Sequence, residues 1–140
     1  DAALRRAARL GDGWMPYVIS ADRLAQGLEF IAREAEVAHR KLESFGTAAQ
    51  LFVTIADSYE KGLDVAAERL SKRYAMNFRE ATKRYAAVGR PADIAEQISA
   101  YIKAGAREIG VDLICRRSER MGQLEQFAKE VIPLVKSALR

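Results

Sequence analysis

The sequence is poor in several residue types on which many functional sites depend. In 140 residues it has one cysteine, one histidine, one tryptophan and three prolines. A lone Cys115 cannot form an internal disulfide, and a four-ligand zinc site lacks Cys and His donors. No apolar run approaches the roughly 20 residues that span a bilayer, and residues 1–10 lack the apolar core of a signal peptide. We therefore expect no disulfide, no metal and no membrane contact, and the reduced thiol predicts a cytoplasmic location.

The charge pattern does not favour a nucleic-acid partner. Lys and Arg number 23 against 19 Asp and Glu, a net charge of +4, but both signs alternate along most of the chain. The acids in the segment 57–68 precede the bases in the segment 69–84, which is the order that a helix dipole favours. We interpret those bases as a solvated helix face. They are Arg69, Lys72, Arg73, Arg79, Lys83 and Arg84.

The length and the 49% of hydrophobic residues predict a single folded domain over residues 1–140. Helical stripes alternate with short apolar segments, which predicts an α/β fold of about three parallel strands with flanking helices. Predicted strands cover Gly13 to Val18, Leu51 to Ala56 and Glu108 to Arg116. Predicted helices cover Ala2 to Leu10, Ser20 to about Glu43, Tyr59 to Tyr74, Phe78 to Tyr85, Pro91 to Gly105, and Leu124 to Val135 with a bend at Pro133.

Polar residues mark where the predicted helices begin. Asp1 and Ser20 precede the first two long helical stripes, and Asp57 or Ser58 precedes the third, so we expect their side chains to act as helix caps. Pro91 fits the first position of a later helix, and Gly105 fits a left-handed stop.

Two segments resemble the bacterial luciferase-like flavin monooxygenases, a family that includes coenzyme F420-dependent reductases. Residues 2–14, AALRRAARLGDGW, are similar to the family's helix that enters the sixth barrel strand. Residues 88–97, VGRPADIAEQ, are similar to a family segment of the VGTPEEVAEQ kind. The resemblance covers nearly the whole chain and implies the C-terminal part, helix five to helix eight, of a TIM (β/α)8 barrel. Such a barrel needs about 250 residues, so we expect the sequence before Asp1 to encode the remainder.

One position departs from the family pattern. Arg90 stands where the family often has a threonine whose hydroxyl caps the next helix. The helix that begins at Pro91 therefore needs its cap from the backbone, from water or from Asp93.

The resemblance implies that a flavin, FMN or F420, lies across the carboxyl ends of the strands. It places the phosphate near the start of the first helix, where the N–H groups of Ala2 and Ala3 would bind it. It also places Trp14 and Met15 at the flavin pocket, although a tryptophan that enters a strand also suits the core. The other strand ends are at residues 56–58 and 115–117.

Arg116 and Arg117 follow the last predicted strand. They could hold a phosphate or an acidic substrate through bidentate hydrogen bonds, or they could be surface arginines. His39 lies late in a helix and Cys115 is predicted to be buried, so neither is expected to be catalytic. No catalytic residue is assigned, which fits a family in which the flavin carries the redox chemistry.

These features lead to two functional hypotheses. The first is a fragment of a flavin-dependent monooxygenase or oxidoreductase that acts on a small organic substrate and that binds flavin poorly by itself. The alternative is a non-catalytic assembly module that pairs through open sheet edges, which predicts a homo-oligomer of at least two chains. A free-standing flavodoxin-like domain is disfavoured because residues 13–16 are neither glycine-rich nor acidic.

Overall fold

The computed structural model describes residues 1–140, in which seven α-helices alternate with four short strands. Contacts group the chain into two compact units: unit 1 comprises residues 1–50 and 101–110, and unit 2 comprises residues 51–100 and 111–140. The strands are β1 (Gly13–Trp14), β2 (Gly46–Ile55), β3 (Ala86–Gly89) and β4 (Glu108–Leu113). The helices are α1 (Ala2–Leu10), α2 (Ala21–Val37), α3 (Tyr59–Tyr74), α4 (Arg79–Tyr85), α5 (Pro91–Lys103), α6 (Arg120–Gln126) and α7 (Ile132–Ala138).

β1 and β3 pair with β2 in parallel. Trp14 of β1 lies opposite Thr47, and β3 pairs with the last four residues of β2. β4 also pairs with β2, and the Ile114 N–H donates to the Val53 carbonyl over 2.8 Å. A parallel sheet with helices between its strands confirms the predicted α/β class.

The sequence-based strand boundaries need four corrections. β4 ends at Leu113 rather than at Arg116, because the Gln123 side chain pairs with the end of β2 there. β3 was not predicted, because Ala86 to Gly89 is too short to show a period and ends in a glycine. β2 begins at Gly46, five residues before the predicted Leu51, because its first half carries small and polar side chains rather than large apolar ones. β1 covers only two residues, although Tyr17 makes a further isolated bridge to Gln50.

In unit 1, α1 packs on α2 around a small apolar cluster. Ala8, Ile31 and Ala35 are each at most 2% exposed. α2 ends at Val37 rather than near Glu43, because His39 adopts a positive φ of 52°. Arg40 then donates to the Ala8 carbonyl over 3.0 Å, so its cation satisfies the carboxyl end of α1.

In unit 2, α3 packs closely on β3 through two glycines. A Cβ added at Gly62 would lie 2.7 Å from the Gly89 nitrogen, so no side chain fits there. Gly89 itself has a φ of 120°, which L-residues rarely adopt. Next to this contact, Tyr74 stacks on Phe78 with ring centroids 4.7 Å apart, and Phe52 meets both rings edge-on.

The predicted final helix is interrupted and largely exposed. A π-helix over Phe127–Val131 separates α6 from α7, directly before Pro133, which has no N–H to continue the helical ladder. Of the predicted core stripe only Val131 is fully buried, and Leu124 is 48% exposed. The predicted long buried stripe is thus wrong, and the bend expected at Pro133 stays a prediction.

Two of the three predicted side-chain caps are present, and Ser58 rather than Asp57 provides the third helix with its cap. The Ser20 hydroxyl accepts a hydrogen bond from the Arg23 N–H, and the Ser58 hydroxyl accepts one from the Lys61 N–H. Asp1 precedes α1 but its carboxylate makes no cap bond, which corrects that prediction. None of the helices has the length and apolar character that a membrane crossing requires.

Candidate functional site

The carboxyl ends of β2, β3 and β4 all belong to unit 2, and they are held by side chains as well as by the sheet. β4 leaves β2 after Ile114, whose carbonyl accepts a hydrogen bond from the buried Thr54 hydroxyl over 2.8 Å. Beyond this point, the next backbone groups on that edge of β2, which β4 does not reach, belong to Ile55. Gln123 pairs with both of them: its Oε1 accepts from the Ile55 N–H over 2.9 Å, and its Nε2 donates to the Ile55 carbonyl over 2.8 Å. The amide of α6 thus takes the place of a strand at the end of β2.

The loop after β3 positions the start of α5. Asp93 accepts a hydrogen bond from the Arg90 N–H over 2.9 Å, which supplies the cap that the sequence left open. The Arg90 guanidinium also holds both carboxylate oxygens, over 3.0 and 3.2 Å. This side-chain hydrogen bond, with the backbone one, lowers the pKa of Asp93 below its ordinary value. The Arg90 guanidinium is therefore already paired with the Asp93 carboxylate.

The two arginines predicted to bind an anion lie in the loop after β4. Both are exposed, and neither forms an ion pair with an acidic side chain. The Arg116 N–H donates to Glu119 Oε2 over 3.1 Å, and a 3₁₀ turn follows over Arg117–Glu119. Their assignment to a phosphate or an acidic substrate stays a prediction.

A cavity beside the same strand end was not predicted from the sequence. It measures about 400 Å³ and we name it the basic cavity. Its lining residues are Arg69, Lys72, Arg73, Ile114, Cys115 and Arg120. The sequence pattern had placed the first three on a solvated helix face, and no local signal joins them to Arg120, which lies 47 to 51 positions further along the chain.

In unit 1, Ala2 and Ala3 are exposed at the start of α1. Because Asp1 makes no side-chain cap, no side chain occupies the first N–H groups of this helix. That is compatible with phosphate binding, and the assignment of both residues to a flavin phosphate stays a prediction.

Trp14 makes core contacts and lies level with the start of a strand. Its partner Thr47 is only the second residue of β2, so Trp14 sits at the amino end of that strand. Its indole covers Gly27, where an added Cβ would be 2.3 Å from the ring. Met15 is 62% exposed and, with Trp14, borders a cavity of about 340 Å³ beside Gly46 and Glu108. The flavin role of Trp14 and Met15 stays a prediction.

These residues do not make a flavin cradle by themselves. The free N–H groups at α1 suit a phosphate, but Trp14 is engaged with Gly27 and its neighbour Met15 is exposed. No reaction step is therefore assigned to the side chains of this chain. No group of three His, Cys, Asp or Glu side chains could hold a metal ion.

Comparisons with known proteins identify the family. A family model described as luciferase-like monooxygenase matches residues 1–108. A search of curated proteins finds no match. Solved structures match over nearly all of this chain, and the chain spans a little under half the length of each.

Three of these structures share its fold. A coenzyme F420-dependent tetrahydromethanopterin reductase from Methanopyrus kandleri is 17% identical with a TM-score of 0.65, over 93% of this chain and 47% of that one. An F420-dependent secondary alcohol dehydrogenase, solved with an F420-acetone adduct, is 15% identical with a TM-score of 0.75, over 96% and 46%. A monooxygenase, RslO1 from Streptomyces bottropensis, is 19% identical with a TM-score of 0.65, over 94% and 44%. Given the family match over more than three quarters of its length, the chain belongs to the luciferase-like monooxygenase family.

Proposed function

We propose that this chain is the helix-five to helix-eight part of a (β/α)8 barrel that works as a flavin-dependent oxidoreductase. The parent enzyme would use FMN or F420 to oxidise or reduce a small organic substrate in the cytoplasm. The observation that carries the proposal is the family match over residues 1–108. The parallel α/β arrangement and the titles of the similar structures, which name F420-dependent enzymes and a monooxygenase, support it.

The contribution of this chain would be to bind and orient rather than to carry out the chemistry. When bound, the flavin supplies the redox chemistry in enzymes of this kind. The free N–H groups of Ala2 and Ala3 would meet its phosphate. Arg116 and Arg117, exposed and without acidic partners, would be available to an anionic substrate or phosphate. Residues 1–140 would form one domain within the parent.

The coding sequence upstream of Asp1 tests this proposal directly. We expect it to encode a strand that ends in Gly-Gly or a similar small-residue turn, which would complete the loop before α1. A start codon immediately before Asp1 would contradict the proposal and favour the assembly role. In addition, titration of the purified 140-residue chain with FMN and with F420 should show poor binding, and micromolar binding of either would refute that expectation.

A second candidate function is assembly through the sheet. β4 pairs only with β2, so its second edge carries unpaired backbone groups, and Val111 on this strand is 37% exposed. A homo-oligomer that covers this edge would bury those groups. Light scattering should then show at least a dimer at micromolar concentration, whereas a clean monomer would count against the assembly role.

A further inference from the structure

The basic cavity concentrates positive charge without an acidic residue in its lining. Four of its six lining residues are cations, three from the second half of α3 and one from the first residue of α6. A net positive lining of this density is unusual on a chain whose charges otherwise alternate in sign.

Only two of the four cations have an acidic partner. Lys72 pairs with Glu68, one turn earlier on α3, and Arg73 donates to Asp112 of β4 over 2.6 Å. Arg69 and Arg120 form no ion pair. The cavity therefore keeps two guanidinium groups, those of Arg69 and Arg120, that form no ion pair.

The two uncharged lining residues are nearly buried. Ile114 is 1% exposed and Cys115 is 5% exposed. A guanidinium presents several N–H donors in a fixed plane, a geometry that matches phosphate and carboxylate oxygens.

The size and charge of the cavity select among anions. A phosphomonoester carries a charge of about −1.5 to −2 at neutral pH, which matches the two free guanidinium groups. The volume of about 400 Å³ lies within the range of small-ligand pockets and exceeds what a bare phosphate fills. The volume beyond the phosphate would hold the organic part.

We propose that the basic cavity binds a small phosphomonoester, with Arg69 and Arg120 on the phosphate and the organic part in the remaining volume. This site does not depend on the flavin proposal, because all of its residues lie in unit 2 and none is assigned to the flavin.

The test is an NMR titration of the 140-residue chain with three probes: adenosine monophosphate, inorganic phosphate and adenosine. We expect saturable binding of the monophosphate with a Kd at or below about 1 mM, weaker binding of inorganic phosphate, and no binding of adenosine. The shifted amide signals should include Cys115 and Arg120. In the double variant Arg69→Gln/Arg120→Gln, loss of two charge-assisted hydrogen bonds should weaken binding by about 100-fold or more.

The matched control is Arg33→Gln/Arg84→Gln. It removes the same two charges from exposed helix positions that form no ion pair, and it should leave binding unchanged. Circular dichroism should show that both double variants stay folded. Absence of saturable monophosphate binding would overturn the proposal, and so would equal weakening in both double variants. Binding of inorganic phosphate as tight as that of the monophosphate would overturn the preference for an organic phosphate.

Discussion

The pairing of Gln123 with Ile55 makes a prediction about stability that can be worked out from the structure. We propose the substitution Gln123→Met, which keeps the length of the side chain and removes both of its hydrogen bonds to the backbone of β2. The Ile55 side chain is 6% exposed, so its N–H and carbonyl sit where water has limited access. Loss of two net hydrogen bonds of about 1 kcal/mol each, with a further penalty for groups left unpaired, predicts a loss of about 2–4 kcal/mol.

The assay is equilibrium unfolding in urea, followed by circular dichroism at 222 nm. The matched control is Gln126→Met, which makes the same chemical change one turn later on α6 at a side chain with no hydrogen bond. The free energy of unfolding of the control should stay within about 0.5 kcal/mol of that of the unsubstituted 140-residue chain. If Gln123→Met lowered the free energy of unfolding no more than Gln126→Met does, this would refute the inference that the Gln123 side chain stabilises the end of β2.

Two further predictions concern unit 2. Gly62→Ala should destabilise the chain by about 1–3 kcal/mol in the same urea assay, because its Cβ would meet the Gly89 backbone. The control Gly122→Ala, whose Cβ would have nothing within 4 Å, should be neutral or stabilise the chain by up to about 1 kcal/mol. Equal effects of the two substitutions would contradict the close contact of α3 and β3. Asp93→Asn tests the ion pair with Arg90. Because the folded-state pKa of Asp93 lies below its unfolded value, the charged form stabilises the fold at neutral pH, and this contribution is lost as the pH falls through the lowered pKa. The Tm of Asp93→Asn should therefore lie below that of the unsubstituted 140-residue chain at pH 7, and this difference should shrink below about pH 4. A Tm difference that is constant with pH would contradict this stabilising role of Asp93.

The strongly periodic helices were predictable from the sequence. Leu24, Ile31 and Ala35 recur on one face of α2, and Leu63, Ala66 and Leu70 recur on one face of α3, and all six are buried. Periodicity identifies such helices because the apolar face repeats at a fixed spacing. The serine caps were also predictable, because a hydroxyl before a helical stripe is a local signal.

The rest depends on contacts between distant parts of the chain. β3 consists of small residues whose burial comes from the packing of α3 on Gly89, and no window of four residues reveals this. The final helix has an apolar stripe, but only Val131 meets the core. Gln123 and the basic cavity were missed for the same reason, since Ile55 and Gln123 are 68 positions apart. Local pattern thus predicts elements and caps, whereas a site built across elements requires the structure.

We propose above that this chain forms part of a flavin-binding barrel. The most direct measurement is a fluorescence titration with FMN and F420 of the product that includes the coding sequence upstream of Asp1, with the 140-residue chain measured beside it. We predict one flavin bound per longer chain at micromolar concentration and poor binding to the 140-residue chain. A longer product that binds neither FMN nor F420 would contradict the account.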